Sequence, residues 1–148
     1  MHIRSLQSSD YTTYFSFLRK FRPIANYINQ SQFNFVLQKV QENGRLWVCV
    51  DPNNNDLIIG TITVHVEQKF IHDLSLYARI EDLFVRSEYR NRGIATKLLE
   101  HALKYCKDYK VRKVSLTCQE DLVSFYQKRG FTHDTQTCLL YTSDAADE

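Results

Sequence analysis

The chain has 148 residues, 43% of them hydrophobic, four cysteines and a formal net charge of +2. That length suits a single domain over residues 1–148 with a sizeable core, and so small a charge argues against a nucleic-acid partner. The first residues, Met-His-Ile-Arg-Ser, form no apolar signal core, and no apolar run is long enough to span a bilayer, so the sequence predicts a soluble, cytoplasmic protein with no membrane partner.

Residues 3–6 can form a short first strand. Ser8, Ser9 and Asp10 offer N-caps for a helix carrying Tyr11, Tyr14, Phe15, Phe17 and Leu18, which Pro23 ends or interrupts. Phe33, Val36, Leu37 and Val40 recur at helical spacing, with Gly44 as the expected C-cap. Residues 46–50 and 57–66 are rich in strand formers and flank a turn-forming stretch at 51–56, which predicts a hairpin. Residues 67–77 are less regular and could extend the strand or form a loop. A central strand follows at 80–85, a helix from about Gly93 to Tyr109, a strand at 111–118, and a short helix at 122–129 ended by Gly130. A final strand is expected at 131–141, then an acidic, frayed tail at 142–148. The order β-α-α-β-β-β-α-β-α-β predicts an α/β (α+β) fold: a central mixed sheet flanked by helices.

Cys49, Cys106, Cys118 and Cys138 show no Cys-x-x-Cys spacing and lie in apolar segments. They read as free thiols in a reducing compartment, and no metal site is expected.

The most informative stretch is residues 80–103, an apolar strand, a basic turn with one glycine, and an amphipathic helix. The turn is Arg90-Asn91-Arg92-Gly93-Ile94-Ala95. The first N–H groups of a helix lack internal partners and its dipole makes that end partly positive, so such a turn is suited to a diphosphate. The cluster Arg86, Arg90 and Arg92 suits one small anionic ligand. The spacing is neither Gly-x-Gly-x-x-Gly nor a P-loop. It resembles the coenzyme A diphosphate loop of the GNAT superfamily of N-acetyltransferases, which reads Gln/Arg-x-x-Gly-x-Gly/Ala. Downstream, Phe125-Tyr126-Gln127-Lys128-Arg129-Gly130-Phe131 is similar to that superfamily's Phe-Tyr-x-x-x-Gly-Phe signature.

The resemblance implies a GNAT fold and acetyl-CoA as cosubstrate. Arg90, Asn91, Arg92, Gly93, Ile94, Ala95 and Phe125 would bind it, with the backbone of Leu83, Phe84 and Val85 pairing with its pantetheine arm and polarising the acetyl carbonyl. Tyr126 would face the coenzyme sulfur, where a phenol can donate a proton to the departing thiolate. Phe125 and Phe131 also read as core aromatics.

A narrower resemblance covers Glu67-Gln68-Lys69-Phe70-Ile71-His72 and Arg79-Ile80-Glu81-Asp82, which look like the glucosamine-6-phosphate N-acetyltransferases. This implies transfer to the 2-amine of glucosamine 6-phosphate by direct attack. Glu81 would relay the proton, Asp82 would orient the sugar, Lys69 and His72 would lie near the sugar or its phosphate, and Thr117-Cys118 would match the family's strand end. The resemblance also implies a homodimer and a place in UDP-N-acetylglucosamine biosynthesis. Three positions depart from the subfamily. Tyr141 stands where it has a phosphate-contacting arginine, Pro23 where it has a threonine, and Leu122 where it has an asparagine. Lys69 or Arg79 could supply the missing charge. The other readings are acetyl transfer to another small amine or a protein amine, and a coenzyme A-binding sensor without turnover.

Overall fold

The computed structural model describes residues 1–134. The chain divides into two compact units, Met1–Thr117 and Cys118–Glu148. In the first, a five-stranded sheet runs in chain order: β1 (His2–Ser5), β2 (Gly44–Asp51), β3 (Leu57–Gln68), β4 (Leu76–Val85) and β5 (Val111–Leu116). The first four strands are antiparallel, and β5 joins β4 in parallel after the crossover helix α3 (Ile94–Asp108). The two other helices are α1 (Tyr11–Leu18) and α2 (Gln30–Glu42). The expected mixed sheet flanked by helices is what forms.

Strand alternation divides the chemistry between two faces. On one, Leu6, Val48, Val50 and Ile58 pack with Tyr14, Phe17, Phe33 and Leu37 of α1 and α2. There the Tyr14 hydroxyl lies 3.1 Å from Thr61 Oγ1, and burial pushes the phenol up to about 12. On the other, α3 buries Leu98, Leu99, Ala102 and Cys106, and Trp47 meets His101 and Tyr105 edge-on. Cys49 and Cys106 are buried free thiols and Cys118 is half-buried.

Several boundaries differ from expectation. Helix α1 ends at Leu18, well before Pro23. Helix α2 begins with a reciprocal cap in which the Gln32 N–H donates to Asn29 Oδ1 and the Asn29 N–H to Gln32 Oε1. Gly44 opens β2 instead of capping α2, whose C-cap is Asn43. Its glycine answers a close approach, since a Cβ there would lie 1.9 Å from the Val64 carbonyl oxygen. The irregular segment resolves into strand to Gln68, a turn, and strand again from Leu76. Strand β5 stops at Leu116, leaving Thr117 and Cys118 in the following segment.

The second unit holds a single turn of 3-10 helix (Glu120–Leu122) and α4 (Val123–Gln127). Residues 131–134 are not in a strand. The rest of the expected last strand, with Cys138, Tyr141 and the tail, lies outside the described residues.

Candidate active site

The site begins with an irregularity in β4. Thr61 pairs with Phe84 but Thr63 pairs with Glu81, so Asp82 and Leu83 oppose the single residue Ile62. Asp82 takes a left-handed backbone (φ 54°), which aspartate tolerates better than most side chains. On the other edge, pairing with β5 stops at Ile80 and Leu116. Leu83, Phe84 and Val85 therefore have a strand neighbour only on the β3 side among the described residues. Their other edge can receive the amide groups of an extended ligand, the place that the family resemblance implies for the pantetheine arm.

That edge leads to the basic turn. Asn91 (φ 64°) and Gly93 (φ 77°) are left-handed, and Gly93 is the N-cap of α3 without a side-chain cap bond. Nothing would meet a Cβ on Gly93, so conformation alone selects glycine there. Arg90, Asn91 and Arg92 are exposed around the uncapped end, with Ile94 buried and Ala95 half-buried behind it. The Arg92 guanidinium lies 4.9 Å from the Tyr89 ring, whose hydroxyl donates to Asp51 Oδ2 at 2.6 Å. Arg86 does not join this cluster. It is buried, donates from Nε to the Ile58 carbonyl at 2.6 Å and lies over Phe17. The turn thus fits a diphosphate with two arginines and the helix N–H groups.

The α1–α2 face of β3 and β4 carries a second group of polar residues. Residues paired across antiparallel strands share a face, so Thr63, His65 and Glu67 side with Glu81, Arg79 and Tyr77. They form a continuous ladder. Lys69 Nζ donates to Glu67 Oε2 at 2.9 Å, Arg79 donates to Glu67 Oε1 at 3.1 Å and to Glu81 Oε1 at 2.5 Å, and His65 Nε2 lies 3.3 Å from Glu81 Oε2. The Lys69 bond and charge hold the Glu67 carboxyl below its usual range, and the Glu81 bond raises Arg79. Lys69 and Arg79 are therefore engaged by carboxylates and do not stand free to replace a phosphate-binding arginine. Asp82 reaches solvent beside this ladder. Partial loss of water around its carboxyl, then the charge of Glu81, raises its pKa, while Arg22 and His65 act the other way.

His65 is a residue that sequence reading missed. A lone histidine inside a strand gives no motif, and only the register of β3 on β4 sets it against Glu81. Arg22 was also unmarked. Its guanidinium lies 5.2 Å from the Phe84 ring, next to the stacked Phe21–Phe84 pair at 4.7 Å, and it has no ion pair among the described residues.

Lys69 and His72 fall in the turn between β3 and β4. His72, Asp73 and Leu74 are all left-handed there, and Phe70 is 91% exposed. The His72 ring lies 6.5 Å from Tyr77 and not against Glu81. Thr117 is exposed past the end of β5. A 380 Å³ cavity lined by Asn43, Arg45, Val66, Gln68, Tyr105 and Tyr109 opens where α3 ends, and none of the residues named for chemistry lines it.

In the second unit, Tyr126 is buried between Phe125 (5.0 Å) and Phe131 (5.8 Å), both edge-on. Burial, then the neighbouring Cys118, raises the phenol pKa, which keeps it a proton donor through the neutral range. The Arg129 guanidinium lies over the Phe125 ring at 3.7 Å, and Leu122 is exposed. Among the described residues no group of histidine, cysteine and carboxylate side chains could hold a metal ion, and no helix is long and apolar enough to cross a membrane.

Residues 3–131 match the acetyltransferase (GNAT) family. A Drosophila melanogaster protein named probable glucosamine 6-phosphate N-acetyltransferase is 28% identical over 88% of this chain, which spans 60% of that relative's length. The Arabidopsis thaliana glucosamine 6-phosphate N-acetyltransferase is 25% identical, with 88% of this chain matching 89% of it. Among solved structures, that of glucosamine-6-phosphate N-acetyltransferase from Arabidopsis thaliana superposes with a TM-score of 0.84 at 24% identity, covering 95% of this chain and 97% of the other. It supports the fold.

Proposed function

This chain belongs to the acetyltransferase (GNAT) family, and on that premise we propose that it acetylates the 2-amine of glucosamine 6-phosphate with acetyl-CoA. The observation that carries the transferase reading is the uncapped start of α3 beside the edge of β4 beyond Ile80. Arg90, Arg92 and the first N–H groups of α3 would hold the diphosphate. The free edge of residues 83–85 would take the pantetheine amides and direct a backbone N–H at the acetyl carbonyl, a contact that stabilises developing negative charge by a few kcal/mol. Acetyl-CoA supplies the thioester. Glu81 accepts the proton that the acceptor must lose, Asp82 orients the sugar, and Tyr126 protonates the departing thiolate. The acceptor lies on the α1–α2 face, where Glu81, Asp82 and Arg22 stand together. The choice of acceptor rests on the Lys-Phe-Ile-His and Glu-Asp motifs and on the relatives' names. A homodimer is part of the same proposal and is checked by light scattering.

Another small amine is the second reading, favoured by the engagement of Lys69 and Arg79 with Glu67 and Glu81. The test is thiol release from acetyl-CoA with glucosamine 6-phosphate, glucosamine or glucosamine 1-phosphate. Fast release with the 6-phosphate alone supports the first reading. Release only with other amines replaces it with the second.

A further inference from the structure

An acceptor amine arrives mostly as an ammonium ion, which has no lone pair and cannot attack. Carboxylates as a class hold a proton weakly at neutral pH, whereas imidazole exchanges one there. A carboxylate at the acceptor therefore works best when its proton has somewhere to go. Glu81 is built this way. Arg79 occupies Oε1 at 2.5 Å, and Oε2 faces His65 Nε2 at 3.3 Å. The His65 side chain is 31% exposed, so the ring is held by the sheet yet reaches bulk water.

We propose that His65 is a positioning residue of this site, acting through Glu81 as the acceptor of the proton that the substrate ammonium loses. The proposal rests on the transferase reading given above. The ammonium N–H bond breaks and its proton passes to the Glu81 carboxylate. The carboxyl O–H then breaks as a ring nitrogen of His65 takes the same proton. The imidazolium remains paired with the regenerated carboxylate until it releases the proton to solvent. The free amine attacks the thioester carbon, the C–S bond breaks as Tyr126 gives its hydroxyl proton to the thiolate, and the second proton, lost by the acetylated nitrogen, passes through solvent and restores the Tyr126 phenol. No oxidation or reduction is involved.

The charged neighbours support this direction. Across the strand pair stand Glu81 and Arg79; along β3 and its turn stand Glu67 and Lys69; beyond the bulge stand Asp82 and Arg22. On α2, Lys39 and Glu42 pair with each other at 3.8 Å. The ladder of Lys69, Glu67, Arg79 and Glu81 sums to zero, so one added proton on His65 gives a net charge of +1 that the adjoining Asp82 carboxylate faces.

The test is the rate of thiol release with acetyl-CoA and glucosamine 6-phosphate from about pH 6 to about pH 9, across which the acceptor passes from ammonium to free amine. It is run on the unaltered protein and on His65→Gln, which keeps a hydrogen-bond donor but cannot titrate. Expected is a loss of about tenfold or more in kcat near neutrality. The loss narrows toward alkaline pH as free amine accumulates, and the KM for acetyl-CoA stays unchanged. Equal loss at every pH would mark a merely structural residue, and rates within about twofold of the unaltered protein at every pH would show that the proton leaves elsewhere; either overturns the inference. Should His65→Gln melt early, His65→Asn is read in its place. Failure of the function reading looks different: the unaltered protein itself would not turn over glucosamine 6-phosphate, and the same profile is then taken with the amine it does acetylate. An unaltered protein that acetylates no amine overturns both.

Discussion

Gly60→Ala tests how tightly α3 is seated on the sheet. Gly60 is buried in β3 and pairs with Cys49 on one side and Val85 on the other. A Cβ there would lie 2.9 Å from Leu98 Cδ1, 3.3 Å from Ile94 Cγ2 and 3.3 Å from the Phe84 carbonyl oxygen. Leu98 and Ile94 are 0% and 2% exposed, so neither has open space to enter. One surplus methyl in a filled core costs about 1–3 kcal/mol. Loss of glycine's freedom in the unfolded chain offsets about 0.4–1 kcal/mol. The net is about 1–2 kcal/mol, or a fall in Tm of about 3–8 °C for a chain of this size. Because Ile94 is the first residue of α3, the same methyl presses on the turn expected to hold the diphosphate, and the KM for acetyl-CoA rises more than that for the acceptor. Leu98→Val shortens that side chain by one methylene and withdraws the Cδ1 carbon that faces the new methyl. Gly60→Ala/Leu98→Val should be more stable than the sum of the single changes predicts, by about 1 kcal/mol in urea titrations. A Gly60→Ala protein that melts at or above the unaltered temperature, or strictly additive double-variant energies, would refute the packing account.

Tyr126→Phe removes the hydroxyl but keeps the ring, so kcat should fall about a hundredfold with little change in KM for acetyl-CoA, and steady-state rates check both. Since burial raises the Tyr126 pKa, the alkaline loss of activity should begin above the ordinary tyrosine range; a loss beginning below it would contradict the donor role. Asp10 is buried and takes both Arg4 guanidinium nitrogens, at 2.7 and 2.9 Å, and the Gln7 N–H at 2.8 Å. Burial alone would raise its pKa, but the Arg4 bonds, the Gln7 bond and the Arg4 charge together lower it. Its contribution is therefore complete above the ordinary aspartate value of about 3.9 and is lost as pH falls through the lowered folded value. Asp10→Asn should cost about 1–3 kcal/mol in urea melts at neutral pH, and the difference should shrink in acid. Arg22→Gln should raise the KM for glucosamine 6-phosphate about tenfold, the value of one charge-assisted bond, and leave that for glucosamine unchanged. Equal effects on both sugars would remove Arg22 from the phosphate.

The parts legible in the sequence are those that repeat or punctuate. Helical spacing in α2 and α3, the strand-turn-strand of β2 and β3, and the glycine at the start of α3 all follow from local rules. The bulge at Asp82 was not legible, because it arises from the register between β3 and β4 and leaves no residue pattern. Gly44 misled for the opposite reason. A glycine after a helix satisfies the C-cap rule, yet here the Val64 carbonyl leaves no space for a Cβ in a strand. Arg86 looked like part of the basic turn by proximity along the chain, whereas its guanidinium turns inward to Ile58 and Phe17. The capping pair Asn29 and Gln32 was overlooked because neither is the serine or glutamate usually sought.

The same distinction explains why the cations of the α1–α2 face could not be sorted in advance. Lys69, Arg79 and Arg22 are equal as letters, and counting charge alone makes any of them a substitute for an arginine at Tyr141. Side-chain pairing separates them. Lys69 and Arg79 alternate with Glu67 and Glu81 along two strands, so their charge is spent within the ladder and an incoming phosphate would have to compete with carboxylates at 2.5 to 3.1 Å. Arg22 lies on the loop after α1 with one guanidinium face on Phe84, and among the described residues it donates from Nη1 only to the Phe21 carbonyl, at 2.8 Å. A guanidinium held by an aromatic face keeps its edge N–H groups for an anion, which is the geometry that bidentate phosphate recognition uses. On the proposed reading, an anionic acceptor would be matched by a cation on α1's loop, while proton transfer would be left to a strand pair whose own charges cancel.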